Sequence, residues 1–199
     1  MKIYIVRHGQ TNLNKAHVIQ GKYNEPLNEE GIKMAQLTGE SLKGITFDEA
    51  YSSPLNRSYE TVKEILRCSN NNCTIKTDSR LEEVGFGSWE GKSFNNPLYK
   101  DILDDYFSNP IIKTGPSDAE DVNDVMKRTQ EFLKELANRN DNKTYLVGSH
   151  AFAIRAMLNF LYEDKNDFWQ GHGPKNLAIN ILEVKDGKIT FIEKDKIYY

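Results

Sequence analysis

Cysteine is scarce in this chain, two residues in 199, and Cys68 and Cys73 are too few for a disulfide framework and wrongly spaced for a zinc knuckle. Charge of a single sign is also missing. Lys and Arg number 26 against 29 Asp and Glu, and the net charge of −3 is spread without long blocks. The electrostatic footprint of a nucleic-acid binder or a membrane-surface protein is therefore absent. No apolar run approaches the ~18 residues of a membrane span. The four histidines are scattered, no His-Glu-x-x-His pattern occurs, and no set of carboxylates has ligand spacing. No metal and no other cofactor is called for. A phosphate-cradling Gly-x-x-x-x-Gly-Lys-Ser/Thr loop is lacking too. The first residues form a strand pattern with no charged stretch leading into an apolar one, so a cytoplasmic, soluble protein is expected. Its length predicts one domain, residues 1–199. Small molecules are the expected partners, with no nucleic acid and no membrane.

What is present alternates strand and helix, which predicts a three-layer α/β/α sandwich with a mostly parallel sheet. Ile3-Tyr4-Ile5-Val6 reads as a buried strand. Asn28 followed by Glu29 and Glu30 reads as a capped helix start, running to Leu42 or Lys43 and closed by Gly44. A short strand over residues 47–51 ends at Ser52-Ser53-Pro54, and residues 55–66 form the next helix, with Arg57 in its first turn. Residues 74–78 read as a strand, 121–138 as a helix, 143–148 as a strand and 151–161 as a helix. A C-terminal hairpin of residues 176–184 and 188–192 turns at Asp186-Gly187.

The chemistry gathers at strand ends. Arg7-His8-Gly9-Gln10-Thr11 follows the first strand directly, and open α/β sheets bind ligands beyond the carboxyl ends of their strands. An arginine fork suits phosphate oxygens, and an imidazole can serve as nucleophile, acid or base near neutral pH. Gly9 lets the backbone turn sharply and approach a ligand. Arg57 stands where helix N-terminal donors and the helix dipole favour an anion. Val147-Gly148-Ser149-His150 repeats the strand-then-histidine arrangement.

Together with Asn14, Gln20-Gly21, Pro26-Leu27, Gly31, Ser52-Ser53-Pro54-Leu55, Thr61, Leu81-Glu82-Glu83, Phe86-Gly87-Ser88-Trp89-Glu90-Gly91 and Ile154-Arg155, these motifs appear in the order found in the histidine phosphatase superfamily, which the chain resembles over nearly its whole length. The resemblance implies that His8 is a nucleophile forming phosphohistidine. It implies that Arg7, Arg57 and His150 stabilise the transferring phosphoryl, with Asn14 donating to the same oxygens. Glu83 would be the proton donor to the leaving group, rather than its neighbour Glu82. Gln20 would line the substrate side of the pocket, while Glu90 anchors its loop and Trp89 packs. His17 and His172 read as incidental. The expected ligands are small phosphate esters, with inorganic phosphate as product.

The sequence departs from the family pattern at two places. Ala151 follows His150 where glycine is usual, and is strained if φ must be positive there, but serves if only its N–H touches phosphate. Gly85 replaces a frequent acid before Phe86, which puts the hold on the Glu83 loop in question. The compact chain and the stretch from Lys15 to Gly21 favour a phosphatase over a cofactor-dependent phosphoglycerate mutase. A phospho-ligand binding protein without turnover is the alternative from another class. Residues 92–124, carrying Phe94, Tyr99, Tyr106, Phe107 and Pro97, Pro110 and Pro116, are expected to form a helical lid that sets specificity.

Overall fold

The computed structural model describes residues 1–139 and 141–199. Its strands are β1 (Lys2–Arg7), β2 (Glu49–Ser52), β3 (Ile75–Thr77), β4 (Thr144–Ser149), β5 (Ile179–Lys185) and β6 (Lys188–Lys196). They make one sheet in the order β3-β2-β4-β1-β5-β6. The first four run parallel to one another, and β5 pairs antiparallel with both β1 and β6. The helices are α1 (Asn12–Lys15), α2 (Glu29–Ser41), α3 (Asn56–Cys68), α4 (Lys100–Ser108), α5 (Val122–Ala137) and α6 (Ala151–Leu158).

Alternation along β1 explains the layers. Ile3 and Ile5 face a core with Phe132, Leu133 and Leu136 of α5 and Ile154, Met157 and Leu158 of α6. Tyr4 and Val6 face the opposite core, with Met34 and Ala35 of α2 and Val62, Ile65 and Leu66 of α3. A strand apolar on both faces is stable only when helices cover both, and each fully buried Leu, Ile or Phe contributes roughly 1.5–3 kcal/mol. The sheet is the expected α/β/α sandwich.

Local signals set the helix starts. Asn28 Oδ1 accepts from Gly31 N at 2.8 Å, capping α2, and Asp121 caps α5. Helix α2 ends at Ser41, slightly short of the expected Leu42. The one-turn α1 was not foreseen. It is held by a reciprocal box in which Thr11 Oγ1 accepts from Asn14 N and Asn14 Oδ1 accepts from Thr11 N.

The hairpin also differs at its start. Residues 176–178 were expected in the strand, but β5 begins at Ile179, because the chain bends sharply at Leu177, which has φ of 58°. The bend lets Leu177 N donate to Arg7 O while Arg7 N donates to Ala178 O. At the far end, Asp186 and Gly187 both have positive φ, the pattern of a type I′ turn.

A third apolar cluster lies beyond the sheet's carboxyl edge. It joins Ile19, Val84, Phe86 and Trp89 to Leu103 and Tyr106 of α4, Val125 of α5 and Phe152 of α6. Residues 92–124 contain α4 and the first turn of α5, and Asp101, Asp104 and Asp105 of α4 are exposed.

Candidate active site

The parallel register brings the strand ends together. Arg7 of β1 stands opposite Ser149 of β4, and Ser52 of β2 opposite Gly148. His8 N then donates to Ser149 O, and Ser53 N to Gly148 O. His8, Ser53 and His150 therefore meet at one edge, with the rings of His8 and His150 5.2 Å apart.

Both histidines are buried, at 3% and 0% exposure. His8 Nδ1 lies 2.7 Å from Gly9 O and donates to it, since a carbonyl only accepts. Its lone pair is then on Nε2. Burial holds the His8 pKa well below the ordinary histidine value, and the cations of Arg57 and Arg7 push it further down. The same three causes, with a smaller contribution from His8 after that of Arg57, depress His150. His150 Nε2 is 2.8 Å from Ser53 Oγ, and when that hydroxyl donates, the proton of a neutral ring is on Nδ1.

Gly9 owes its identity to a protein contact. A Cβ there would stand 2.7 Å from Gly31 O of α2, and Gly9 N donates to Thr61 Oγ1 of α3. The close approach foreseen for a ligand is made to a neighbouring helix.

The arginines are anchored rather than free. Arg7 Nη1 donates to Pro174 O at 2.6 Å. Arg57, 1% exposed in the first turn of α3, donates Nη1 to Tyr23 O and Nη2 to Gly21 O. The terminal fork of Arg57 thus grips backbone. Among the described residues, Arg7 Nε, Arg57 Nε and His150 Nδ1 are buried with no hydrogen-bond partner. Such orphans are costly unless something satisfies them. Three polar atoms of this kind around two cations fit an anion with several oxygens.

Glu83 is also buried. Its Oε1 accepts from Val84 N and Ala153 N, and Oε2 from Phe152 N at 3.3 Å, so the carboxylate caps α6 from outside the helix. Ala151 is the first residue of α6 with ordinary helical backbone, so the strain considered for alanine does not arise. A Cβ at Gly85 would make only ordinary contacts, with the Lys22 side chain at 3.6 Å and Glu120 Cβ at 3.9 Å. The Glu83 loop is held by Arg128 of α5, which donates to the carbonyls of Arg80, Glu82 and Glu83 and pairs with Glu120.

These groups open on a cavity of about 200 Å³ lined by Arg7, His8, Asn14, Gln20, Gly21, Arg57, Glu83 and Ala151 on its polar side. Val18, Ile19, Phe86, Phe94, Phe107, Phe152 and Trp169 form the rest of its wall. Of the eight residues expected to act on or bind the ester, seven line it: Arg7, His8, Asn14, Gln20, Arg57, Glu83 and Ala151. His150 is not among the lining residues, and its ring centroid stands 5.2 Å from that of His8. Gln20 Oε1 accepts from Thr11 Oγ1, and Asn14 Oδ1 accepts from Asn176 Nδ2, whose other bond is to His8 O. Glu90 accepts from Lys22 N and Phe86 N, and Glu82 pairs with Lys22. His17 and His172 lie outside this wall.

Ser53, Asn176 and Arg128 were missed by sequence reasoning. Ser53 belongs to a motif that was seen, while Asn176 and Arg128 carry no local signal.

The model of the histidine phosphatase superfamily (branch 1) matches residues 3–195. Phosphoserine phosphatase 1 of Hydrogenobacter thermophilus is 31% identical over 196 residues, spanning 97% of this chain and 91% of that protein. The 2,3-bisphosphoglycerate-dependent phosphoglycerate mutase of Thermoplasma acidophilum is 28% identical over 95% of this chain and 90% of its own. The solved structure of Bacillus stearothermophilus YhfR superposes with a TM-score of 0.90 at 24% identity, covering 98% of this chain and 97% of that one.

The chain belongs to the histidine phosphatase superfamily. It is an enzyme of the phosphoric monoester hydrolase class. Among the described residues, no helix is long and apolar enough to cross a membrane.

Proposed function

We propose that the chain hydrolyses small phosphate monoesters through a phosphohistidine on His8, without a metal ion. The observation that carries this is the state of His8: buried, neutral, fixed by Gly9 O through Nδ1, and facing a cavity with two arginines and one glutamate, Glu83. His8 Nε2 attacks phosphorus, the bond from phosphorus to the ester oxygen breaks, and protonated Glu83 gives its proton to that oxygen. Water then attacks phosphorus, the N–P bond breaks, and the Glu83 carboxylate takes a proton from the water. Negative charge on the equatorial oxygens is met by Arg7, Arg57, Asn14 and His150. The two arginines supply the cations that a metal supplies elsewhere.

The phosphatase name of the 31% relative supports hydrolysis, and the mutase relative defines the competing outcome, in which a second hydroxyl accepts the phosphoryl. The deciding experiment is phosphate release from a panel of monoesters in EDTA, comparing wild type with His8→Ala. Steady release that is lost in the variant is expected. Release that survives the substitution, or that requires added metal, overturns the mechanism. No release, with interconversion of phosphoglycerates in its place, makes the chain a mutase. Binding of phosphate without either reaction makes it a binding protein.

A further inference from the structure

The phosphoryl side and the leaving-group side of the cavity differ sharply in chemistry. Among the described residues, Arg7 and Arg57 are its only cationic lining residues; both act on His8, and their guanidinium groups are held by the carbonyls of Pro174, Gly21 and Tyr23. Lys22, beside the Gly21 turn, is tied to Glu82 at 2.6 Å. The opposite wall is a chain of rings: Phe94 and Phe107 with centroids 5.1 Å apart, Phe107 and Phe86 at 5.4 Å, and Phe86 and Phe152 at 5.9 Å. Trp169 joins them, 5.7 Å from Phe152 and 6.3 Å from Phe107. Its buried Nε1, without a partner among the described residues, is a neutral donor.

Building on the phosphomonoesterase reading, we infer that the natural ester has an uncharged, mainly apolar leaving group of about one ring, and that the ring wall selects it against leaving groups carrying a carboxylate or a second phosphate. A second anion on that side would leave water for aromatic surface with no counter-ion. An apolar ring meets edge and face contacts of the kind that Phe94, Phe107 and Phe86 already make with one another. Size agrees as well. An apolar cavity of ~150 Å³ accepts benzene, so about 200 Å³ takes a phosphoryl group with a single small ring. The reaction balances as ester plus water giving a neutral alcohol and inorganic phosphate, with the phosphorus-oxygen bond broken and the proton delivered to the alkoxide. The 31% relative is named for phosphoserine, whose leaving group is charged, so this chain would part from it on the far wall of the pocket while keeping the same phosphoryl side.

The test compares kcat/KM for 2-phenylethyl phosphate, ethyl phosphate, O-phosphoserine and 3-phosphoglycerate, all of which release an alkoxide, so that leaving-group reactivity does not dominate. The phenylethyl ester is expected to exceed both charged esters by about tenfold or more, with ethyl phosphate between them. Phe107→Arg is expected to move the ratio of 3-phosphoglycerate to phenylethyl phosphate upward by about tenfold. If O-phosphoserine or 3-phosphoglycerate equals or exceeds the phenylethyl ester in a reaction that still needs His8, the substrate class is wrong and the phosphatase reading stands. If none of the four esters releases phosphate, the phosphatase reading itself falls. The wild-type comparison decides the matter even where Phe107→Arg fails to fold.

Discussion

The Nδ1 of His8 stands 2.7 Å from the carbonyl oxygen of Gly9, which fixes both the ring's tautomer and its orientation within its own dipeptide. Nothing comparable compensates a proton on Nε2, where burial comes first and Arg57 and Arg7 follow in opposing charge. In an unfolded chain His8 takes a proton near pH ~6.5, and in the folded protein only at lower pH. Below about pH 6.5 the unfolded state therefore binds more protons, so stability is complete above that value and falls as the pH is lowered. His150 acts in the same direction. In phosphate-free buffer, the urea midpoint should drop between about pH 7.5 and pH 5.5. His8→Gln should show a smaller drop than wild type. Equal drops would contradict a depressed His8.

Glu83 does two jobs that a single substitution separates. As the proposed acid it should matter most when the leaving oxygen is strongly basic, so Glu83→Gln is expected to lower kcat/KM, which reports formation of phosphohistidine, by about 10²–10⁴ for alkyl esters. For 4-nitrophenyl phosphate, whose leaving group needs little help, the loss should be far smaller. As a cap for Val84, Phe152 and Ala153 N–H groups it also contributes stability, and the variant should lose about 0.5–2 kcal/mol. A uniform loss of kcat/KM across both ester classes would remove the acid role.

Arg128 does not line the cavity, yet it spans the carbonyls of Arg80, Glu82 and Glu83 while paired to Glu120 at 2.6 Å. It is a positioning residue for Glu83. Arg128→Lys keeps the charge but lacks the planar fork, so it cannot reach all of these acceptors. Stability should fall by about 1–3 kcal/mol. The informative readout is the ester dependence: the variant should lose more kcat/KM on alkyl esters than on 4-nitrophenyl phosphate, as Glu83→Gln should. Loss of stability with an unchanged ratio between the two ester classes would make Arg128 merely structural.

Legibility in the sequence followed how local the signals are. Arg7, His8 and His150 were readable because each follows an apolar strand directly, and Arg57 because its helix start is marked by Ser-Ser-Pro. Asn176, which reaches His8 O and Asn14, was not, since its place depends on the bend at Leu177 and on pairing across the sheet. The same holds for the ring wall. Phe94 and Phe107 were expected over the pocket, whereas Phe152 and Trp169 come from α6 and the loop after it and meet them only in the folded chain. The conformation at residue 151 was open in the sequence because glycine and alanine differ only when φ is positive.

Gly21 and Gly85 flank the same site and make opposite predictions. Gly21 has φ of +51°, and a Cβ would stand 2.0 Å from Glu90 Oε1, the atom that accepts from Lys22 N and Phe86 N. Its carbonyl also receives Arg57 Nη2 at 2.8 Å. Gly21→Ala should therefore cost about 1–2 kcal/mol from backbone alone. At roughly 2–4 °C per kcal/mol for a chain of this size, that is a readily measured fall in Tm. Phosphate should also protect the variant less than wild type, because the backbone that anchors Arg57 has moved. Gly85 has neither a positive φ nor a crowded Cβ, and its nearest neighbour is Lys22. Gly85→Glu should stay within about ±0.5 kcal/mol of wild type and keep its activity. Thermal melts with and without inorganic phosphate distinguish the two, and a large loss in Gly85→Glu would mean that glycine at this position is needed by the Glu83 loop.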